Sequence, residues 1–447
     1  MKRRRAFQLI LFAAVVLMVI RISLFRGLLG TLRVSGGSMA EAYPGEHFVL
    51  ACRDCRFRFR VDASTARRGR IVCPNCGFVN SLDRAASLRP GQRVMLDSWP
   101  IARGAIQRGD VLAAEVAEEG SAPVIKRVVG LPGERIAIRN GELYIDDLLW
   151  RKNYAQFREM AVLVYDDLHR PTLEQKQPAR WKFAADSQHW QLTEQGLHWQ
   201  RTGVVDESGH RVGLDWVEYQ HWNCVDGPHP RFETAPILDN DPYNSASSHR
   251  LLPVRDLAVG LDVIAASDAL LAIRLPVGAV FCEVRLRVDD VGGEIFLGGL
   301  LIDKFKTSAF RSGARVQIDF TLCDQQIWLH IDREQLVRLA IPAQRAADGE
   351  APANSIEFGA CRYRHSPADS SSLRLESIRI WRDIYYRGPG ADGPYWSPPA
   401  PLADDEYFLL GDNPTLSRDS RHWPARSALR SNLRGKVWKR TDQIANQ

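Results

Sequence analysis

The sequence predicts a mainly β protein that carries one long helix at its N-terminus. Several segments beyond residue 280 alternate apolar and polar residues at period two, which is typical of half-buried strands. The only strongly apolar run lies within the first 25 residues, and no long helix is predicted after it. The hydrophobic fraction of 45% is enough for packed cores, and a chain of 447 residues has room for about three domains.

The N-terminal helix is predicted to be a transmembrane anchor. Residues 6–25, AFQLILFAAVVLMVIRISLF, are about long enough to cross the hydrocarbon core, and Arg21 lies near the end, where its side chain can reach the interface. A cleavable signal peptide is the alternative, although no small-x-small site follows before Arg26. With residues 1–5 basic, the anchor would place the N-terminus in the cytoplasm and everything after residue 25 on the exported side. The expected location is the inner membrane, as a single-pass protein, with the bilayer as one partner.

Residues 52–80 are predicted to form a zinc ribbon. Two Cys-x2-Cys pairs, Cys52/Cys55 and Cys73/Cys76, are separated by seventeen residues. Four thiolates on two tight turns match tetrahedral Zn²⁺. Two disulfides are the alternative, which an exported compartment permits. The metal would be structural.

Residues 88–150 read as short strands separated by Gly and Pro turns. Arg139-Asn-Gly141 between two apolar runs predicts a hairpin. Lys126 lies in PVIKRVVGLPG, flanked by valines and isoleucine, on a strand expected to be buried. A desolvated lysine can lose its proton near neutral pH and act as a base; a lysine on an exposed edge strand is the alternative.

Residues 151–400 are predicted to form a β-sandwich. FCEVRLRVDD, EIFLGGLLID, ARVQIDFTL, QIWLHIDR, NSIEFGACRY and LRLESIRIWRDIYY each alternate apolar and polar residues. Asp239-Asn-Asp241 is a turn or a Ca²⁺ site, with the turn favoured. The Trp and His residues of 181–230 pack in a core or form a ligand surface, and Cys224, Cys282, Cys323 and Cys361 form bridges or stay buried thiols.

Two further stretches supply polar groups that suit hydrolysis. SGGSMAEAY, residues 35–43, places the Ser38 hydroxyl just beyond the anchor, and GDNPTLSRDSR, residues 411–421, follows the insertion. A serine becomes a nucleophile only when a base takes its proton. Each stretch could equally be a linker or a polar turn.

Several short stretches of the sequence, taken in order, resemble the successive signature motifs of type I signal peptidases, which are membrane-bound Ser/Lys endopeptidases. The matching stretches are Ser38-Met39, Arg108-Gly-Asp110, Lys126-Arg-Val-Val-Gly-Leu-Pro-Gly133, Gly411-Asp-Asn413 and Ser417-x-Asp-Ser-Arg421. The resemblance covers the anchor and residues 31–51, 88–150 and 405–440; the catalytic domain would comprise residues 31–51, 88–150 and 401–447. The last strands of the 151–400 insertion, SIEFGACRY and LRLESIRIWRDIYY, resemble the end of a laminin-G or concanavalin-like jelly roll, so the resemblance implies a jelly-roll-like β-sandwich.

The resemblance implies roles for individual residues. Ser38 would be the nucleophile and Lys126 the general base, with Ser417 near the amine and Asp419 paired with Arg421. The supporting residues would be Gly36, Met39, Arg127, Asp412, Asn413, Ser417, Asp419 and Arg421. The substrates would be exported preproteins with small residues before the cleavage site, and no cofactor is expected for catalysis.

Three departures from the family pattern support an alternative function. Ala40-Glu41-Ala42 replaces the usual residues after Ser-Met, Gly36 stands where some members have a hydroxyl, and Pro414 replaces an Arg. The alternative is a catalytically impaired, membrane-anchored binding module on a signal peptidase scaffold. A self-cleaving regulator is a further possibility, but it would want a DNA-binding domain instead of an anchor. Nucleic acid is not expected as a partner, because the net charge of +6 is spread thinly.

Overall fold

The fold was analysed in a computed structural model. The residues that it describes are 2–25, 29–63, 71–83, 86–120, 122–172, 177–185, 187, 189–202, 213–225, 231–242, 251–266, 268–290, 292–342, 356–363, 370–389 and 395–438. The described chain is mainly β, which confirms the predicted class.

Helices are few among the described residues. Those that the structure describes in full are α1 (Lys2–Phe25), α2 (Trp99–Ala102) and α3 (Tyr154–Met160), with 3-10 turns at Ala117–Glu119 and Arg430–Asn432. The segment predicted as an anchor, residues 6–25, lies within α1. Within the described residues, none of the helices combines the length and the apolar character needed to cross a membrane, so the predicted transmembrane helix is not found.

The strands are numbered in chain order. The first group is β1 Leu29–Arg33, β2 His47–Ala51, β3 Arg58–Asp62, β4 Ile71–Val72, β5 Val79–Asn80, β6 Arg93–Asp97, β7 Val111–Ala114, β8 Val124–Gly130, β9 Ile136–Arg139, β10 Glu142–Ile145 and β11 Leu148–Leu149. The second is β12 Val162–Asp166, β13 Trp181–Phe183, β14 Trp190–Thr193, β15 Gly196–Thr202, β16 Asp215–Tyr219, β17 Trp222–Val225, β18 Arg231–Thr234, β19 Leu257–Ala265, β20 Ala269–Val277, β21 Val280–Arg287, β22 Gly293–Leu297, β23 Leu300–Phe305, β24 Arg315–Cys323, β25 Gln326–Ile331, β26 Glu334–Ala340, β27 Ile356–Arg362 and β28 Ser370–Arg382. The last is β29 Tyr395–Trp396, β30 Glu406–Leu410, β31 Ala428–Leu429 and β32 Leu433–Trp438.

One antiparallel sheet gathers strands from distant parts of the chain. Its order is β1-β6-β32-β7-β8-β30-β31. Alternate residues of β7 point to opposite faces: Val111 and Ala113 join one apolar cluster, and Leu112 and Ala114 join another. Apolar packing on both faces explains why β8 is buried along most of its length, as its sequence predicts.

Smaller units flank this sheet. The hairpins β2–β3 and β4–β5 carry the two cysteine pairs, and β9, β10, β11 and β29 form a separate four-stranded sheet. Asn140 (φ 50°) and Gly141 (φ 90°) make the turn between β9 and β10, which confirms the predicted hairpin.

The insertion contains two antiparallel sheets that share one large apolar core. One has the order β14-β15-β28-β19-β24-β25-β26, with β12 also paired to β28, and the other has the order β13-β16-β27-β20-β21-β22-β23. Val162 of β12 pairs with Arg382 of β28, so the chain enters and leaves the sandwich at adjacent positions. The likeness to a laminin-G domain stays a prediction.

Two details of the insertion refine the sequence interpretation. EIFLGGLLID is a hairpin of β22 and β23, because Gly298 (φ 58°) and Gly299 (φ 77°) form a tight turn in its middle. The tryptophans of residues 181–230 chiefly pack inside: Trp181, Trp190, Trp199 and Trp222 are buried, which favours the core interpretation.

Candidate active site and metal centre

Ser38 and Lys126 lie in hydrogen-bond contact. Ser38 is half-buried in the loop between β1 and β2, and Lys126 is on β8 inside the seven-stranded sheet. The Lys126 Nζ donates to Ser38 Oγ at 2.8 Å. The fold therefore joins two residues that are 88 positions apart in the sequence.

The surroundings of Lys126 favour its neutral form. The side chain is only 2% exposed, and this burial lowers its pKa from 10.5 to about 8, with Asp419 and Glu119 opposing the shift by their negative charge. A neutral amine with its lone pair beside a hydroxyl can accept the hydroxyl proton.

The segment Gly411–Asn413 holds the loop that carries Ser38. The main-chain N–H of Asn413 donates to the Ser38 carbonyl at 3.0 Å, and the Asp412 N–H lies 3.4 Å from the sulfur of Met39. Met39 is fully buried among apolar side chains. The main chain that follows the Ser38 side chain is thus fixed.

Gly411 is required by close packing against the site. A Cβ built on Gly411 would lie 2.5 Å from the Ser38 carbonyl oxygen and 2.2 Å from the Ser417 Oγ. Ser417 Oγ is buried and has no hydrogen-bond partner within the described part of the chain. Ser417 and Ser38 therefore meet at Gly411, and this brings a second hydroxyl close to the loop that carries Ser38.

Arg127, which follows the lysine, forms a buried ion pair. Its Nε and Nη2 donate to the two Asp412 carboxylate oxygens at 2.7 and 2.6 Å, and Nη1 donates to the Gly109 carbonyl at 2.8 Å. Nη2 also reaches Glu159 of α3 at 3.1 Å. This bidentate pair ties the Lys126 strand to the Gly411–Asn413 segment.

Asp419 and Arg421 form the second buried pair, as the family resemblance implies. Arg421 Nε and Nη2 each donate to Asp419 at 2.8 Å, and the Gly411 N–H donates to the same carboxylate at 3.0 Å. Burial alone would raise the pKa of Asp419, but Arg421 and these hydrogen bonds outweigh it and hold the pKa below its usual value. Asp419 is therefore a fixed negative charge near Lys126.

Not every residue singled out in the sequence makes contacts of this kind. Gly36 is exposed, and a Cβ built there has no neighbour within 4 Å. Glu119, Glu159 and Asp241 contact or bias the site but carry no local sequence signal that could have identified them.

The four ribbon cysteines converge as a metal centre would require. Their sulfur atoms lie within 4.8 Å of one another, with Cys52–Cys76 at 3.6 Å and Cys55–Cys73 at 3.7 Å. A tetrahedral zinc with ~2.3 Å bonds needs sulfurs about 3.8 Å apart. The four thiols form no disulfide, so this donor set fits a structural metal.

The two cysteine turns are alike. The N–H of Arg56 donates to the Cys52 carbonyl at 3.1 Å, and that of Gly77 donates to the Cys73 carbonyl at 2.9 Å. Arg56 and Gly77 both have positive φ, 62° and 72°. Equivalent turns are the expected frame for two pairs of thiolate ligands.

A second buried cluster, in the insertion, already contains a cation. Asp256, Cys323, Asp324 and Asp383 lie within metal-ligand distance of one another. The ammonium of Lys152 contacts Asp324 at 2.6 Å and Asp383 at 2.9 Å. This cluster is best described as an ion-paired junction between the insertion and the segment that leads into it.

Part of this chain is similar to signal peptidases. Residues 3–197 match the family described as "Signal peptidase, peptidase S26". A particular relative is "Signal peptidase I U" of Bacillus subtilis (strain 168), which is 33% identical over 78 residues. That alignment covers 17% of this chain and 41% of the relative, so the chain spans about two-fifths of the curated protein that it matches.

Two solved structures are remotely similar to this chain. The apo Crh5 transglycosylase covers 49% of this chain and 84% of its own, at 9% identity and a TM-score of 0.30. The carbohydrate-binding module CBM66 from Bacillus subtilis covers 46% of this chain and 94% of its own, at 7% identity and a TM-score of 0.23. Scores this low carry no conclusion about the present chain.

Proposed function

We propose that this protein is a serine endopeptidase that removes N-terminal signal peptides from exported preproteins with a Ser38/Lys126 dyad. The observation that carries the proposal is the 2.8 Å contact between Lys126 Nζ and Ser38 Oγ. A lysine buried to this degree beside a serine hydroxyl has the chemistry of a general base, and the partial match to signal peptidases indicates the substrate.

The reaction would proceed through an acyl-enzyme. Neutral Lys126 accepts the Ser38 hydroxyl proton while Oγ bonds to the peptide carbonyl carbon, and the Ser38 N–H stabilises the oxyanion. The C–N bond then breaks, and the Lys126 ammonium returns its proton to the leaving amine. A water loses a proton to Lys126 as it attacks the ester, and the cleaved signal peptide departs as a carboxylic acid when Ser38 regains its hydrogen.

A cleavage assay with three variants tests this function. The substrate is a preprotein with an Ala-x-Ala site, and the enzymes are wild type, Ser38→Ala and Lys126→Ala. Ser35→Ala is the matched control, because Ser35 is in the same loop but exposed. Cleavage by wild type and Ser35→Ala alone is expected; an inactive wild type, or cleavage that persists in Ser38→Ala, would sink the proposal and favour the binding module.

We propose further that α1 contacts lipid and holds the catalytic part at the exported face of the inner membrane. Leu9, Phe12 and Leu17 of α1 are about two-thirds exposed, at 68%, 69% and 66%. Apolar side chains on an unpacked helix favour an apolar surrounding. Release of the full chain from membranes by alkaline carbonate would contradict this location.

The ribbon cysteines are proposed to bind one structural zinc ion. Cys52, Cys55, Cys73 and Cys76 supply four ligands and leave no open position, so the metal would stabilise the fold and take no part in peptide cleavage. Metal analysis of the purified protein should find about one zinc per chain; less than about half an equivalent, with thiols that do not titrate, would indicate disulfides.

A further inference from the structure

One short segment of the insertion reaches the residues around Ser38. Asp241, in the stretch Asp239–Pro242, accepts a hydrogen bond from the Asn413 Nδ2 at 2.9 Å. The same Nδ2 donates to the Gly37 carbonyl at 3.2 Å. Gly37 directly precedes Ser38, so one fully buried amide links the insertion to the nucleophile loop.

The bonds of Asn413 depend on which way its amide faces. Its oxygen accepts from the Thr415 hydroxyl at 2.8 Å, while its two N–H hydrogens serve Asp241 and Gly37. A carboxylate can only accept, so a flipped amide would place its oxygen against the oxygens of both Asp241 and Gly37. The acceptor oxygen of Asp241 therefore supports the orientation in which the amide also holds Gly37.

Asp241 is itself held in place from two sides. Arg387 contacts the neighbouring Asp239 at 2.7 and 2.5 Å, and Arg382 donates to the Asn240 carbonyl. The Arg387 carbonyl in turn accepts from Arg421 Nη1 at 2.9 Å. The segment is thus anchored both to the end of the sandwich and to the buried Asp419–Arg421 pair.

We propose that Asp241 is a positioning residue, which fixes the Asn413 amide and through it the main chain that presents Ser38. The inference rests on the proposed peptidase function for its kinetic consequence, but the placement of the loop can be measured without it. In this role the insertion helps to position Ser38, which a domain that is merely tethered to the chain would not do.

The test compares Asp241→Ala and Asp241→Asn with wild type in the full chain. Asp241→Ala removes the acceptor of the Asn413 hydrogen bond and should lower kcat about tenfold. KM should be nearly unchanged, because the lost buried hydrogen bond positions Ser38 and does not contact the substrate. Asp241→Asn keeps an acceptor oxygen and should recover most of kcat. Hydrogen exchange of the main chain at residues 35–43 should be faster in Asp241→Ala and return toward wild type in Asp241→Asn.

Asp268→Asn is the matched control. Asp268 is also a buried carboxylate of the insertion, paired with Arg362 at 2.5 Å but remote in the chain from the segment that meets Asn413. It should reduce thermal stability while leaving kcat and exchange at residues 35–43 as in wild type.

The outcomes separate the two proposals. Unchanged exchange at residues 35–43 in Asp241→Ala, or a kcat loss no larger than in Asp268→Asn, would overturn the positioning role. A wild-type protein that cuts no preprotein would refute the peptidase function, and the exchange comparison would still decide whether Asp241 orders the loop.

Discussion

The rate of peptide cleavage is expected to rise with pH up to about pH 8 and then level off. The perturbation is the protonation of Lys126, whose pKa is lowered by burial to about 8. Only the neutral amine can accept the Ser38 proton, so activity should follow the neutral fraction.

The magnitude follows from that pKa. At pH 7 roughly one lysine in ten would be neutral, and below this kcat/KM should fall about tenfold for each pH unit. An ordinary lysine with a pKa near 10.4 would be neutral in fewer than about one molecule in a thousand at pH 7. The assay is kcat/KM for a peptide with Ala at the first and third positions before the cut, measured from pH 6 to 10.

The lowered pKa of Lys126 also makes the free energy of unfolding depend on pH. The unfolded chain binds a proton at Lys126 up to its pKa of 10.5, but the folded chain only up to about 8, so the free energy of unfolding should rise with pH between these values. The full difference is about 3 kcal/mol. Lys126→Met should therefore be inactive yet, at pH 7, more stable by an amount of this order.

Glu119→Gln tests whether the pKa of Lys126 sets the pH profile, because this variant should move the profile in a known direction. The Glu119 charge raises the pKa of Lys126, so its removal should move the acidic limb of the profile to lower pH. A limb near pH 10, a profile without an acidic limb, or a move to higher pH in Glu119→Gln would refute the reasoning.

Three further predictions concern the supporting structure. Asp412→Asn removes the bidentate charged partner of buried Arg127 and leaves it only the longer contact with Glu159 (3.1 Å), so it should cost about 3 kcal/mol in the free energy of unfolding; an unchanged denaturant midpoint would contradict the role of this pair. Cys73→Ser should reduce bound zinc from about one equivalent to a small fraction and lower the Tm, and full zinc retention would exclude the four-cysteine centre. Arg60→Ala removes a partly exposed ion pair with Glu41 (2.8 Å, side chains 37% and 32% exposed), so the expected loss is below about 1 kcal/mol, and a larger loss in a denaturation experiment would show that the pair is structural.

Local patterns in the sequence predict those parts of the fold that depend on neighbours in the chain. The Asn140-Gly141 turn, the buried strand around Lys126 and the two cysteine turns each follow from a few adjacent residues. The hairpin at Gly298-Gly299 is less evident, because its two strands continue one alternating pattern across the turn.

The candidate site is formed by contacts between distant segments, so local patterns in the sequence cannot predict its arrangement. The approach of Ser38 and Lys126 is anticipated only by the family resemblance. The positions of Glu119 and Asp241 depend on how a 3-10 turn and an inserted domain pack against the catalytic sheet. An isolated acidic residue in a polar stretch has no periodicity that would reveal such packing.

The central place of β32 in the seven-stranded sheet has a consequence for the order in which the protein is made. Residues 433–438 lie between β6 and β7, so during synthesis the middle of that sheet is missing until these residues, which follow the whole sandwich, have emerged. The sandwich, by contrast, has all its strands available earlier and can fold as a unit. A nascent chain can thus complete the sandwich before the seven-stranded sheet that holds Lys126, and under the proposed function a chain that lacks β32 would have no assembled active site.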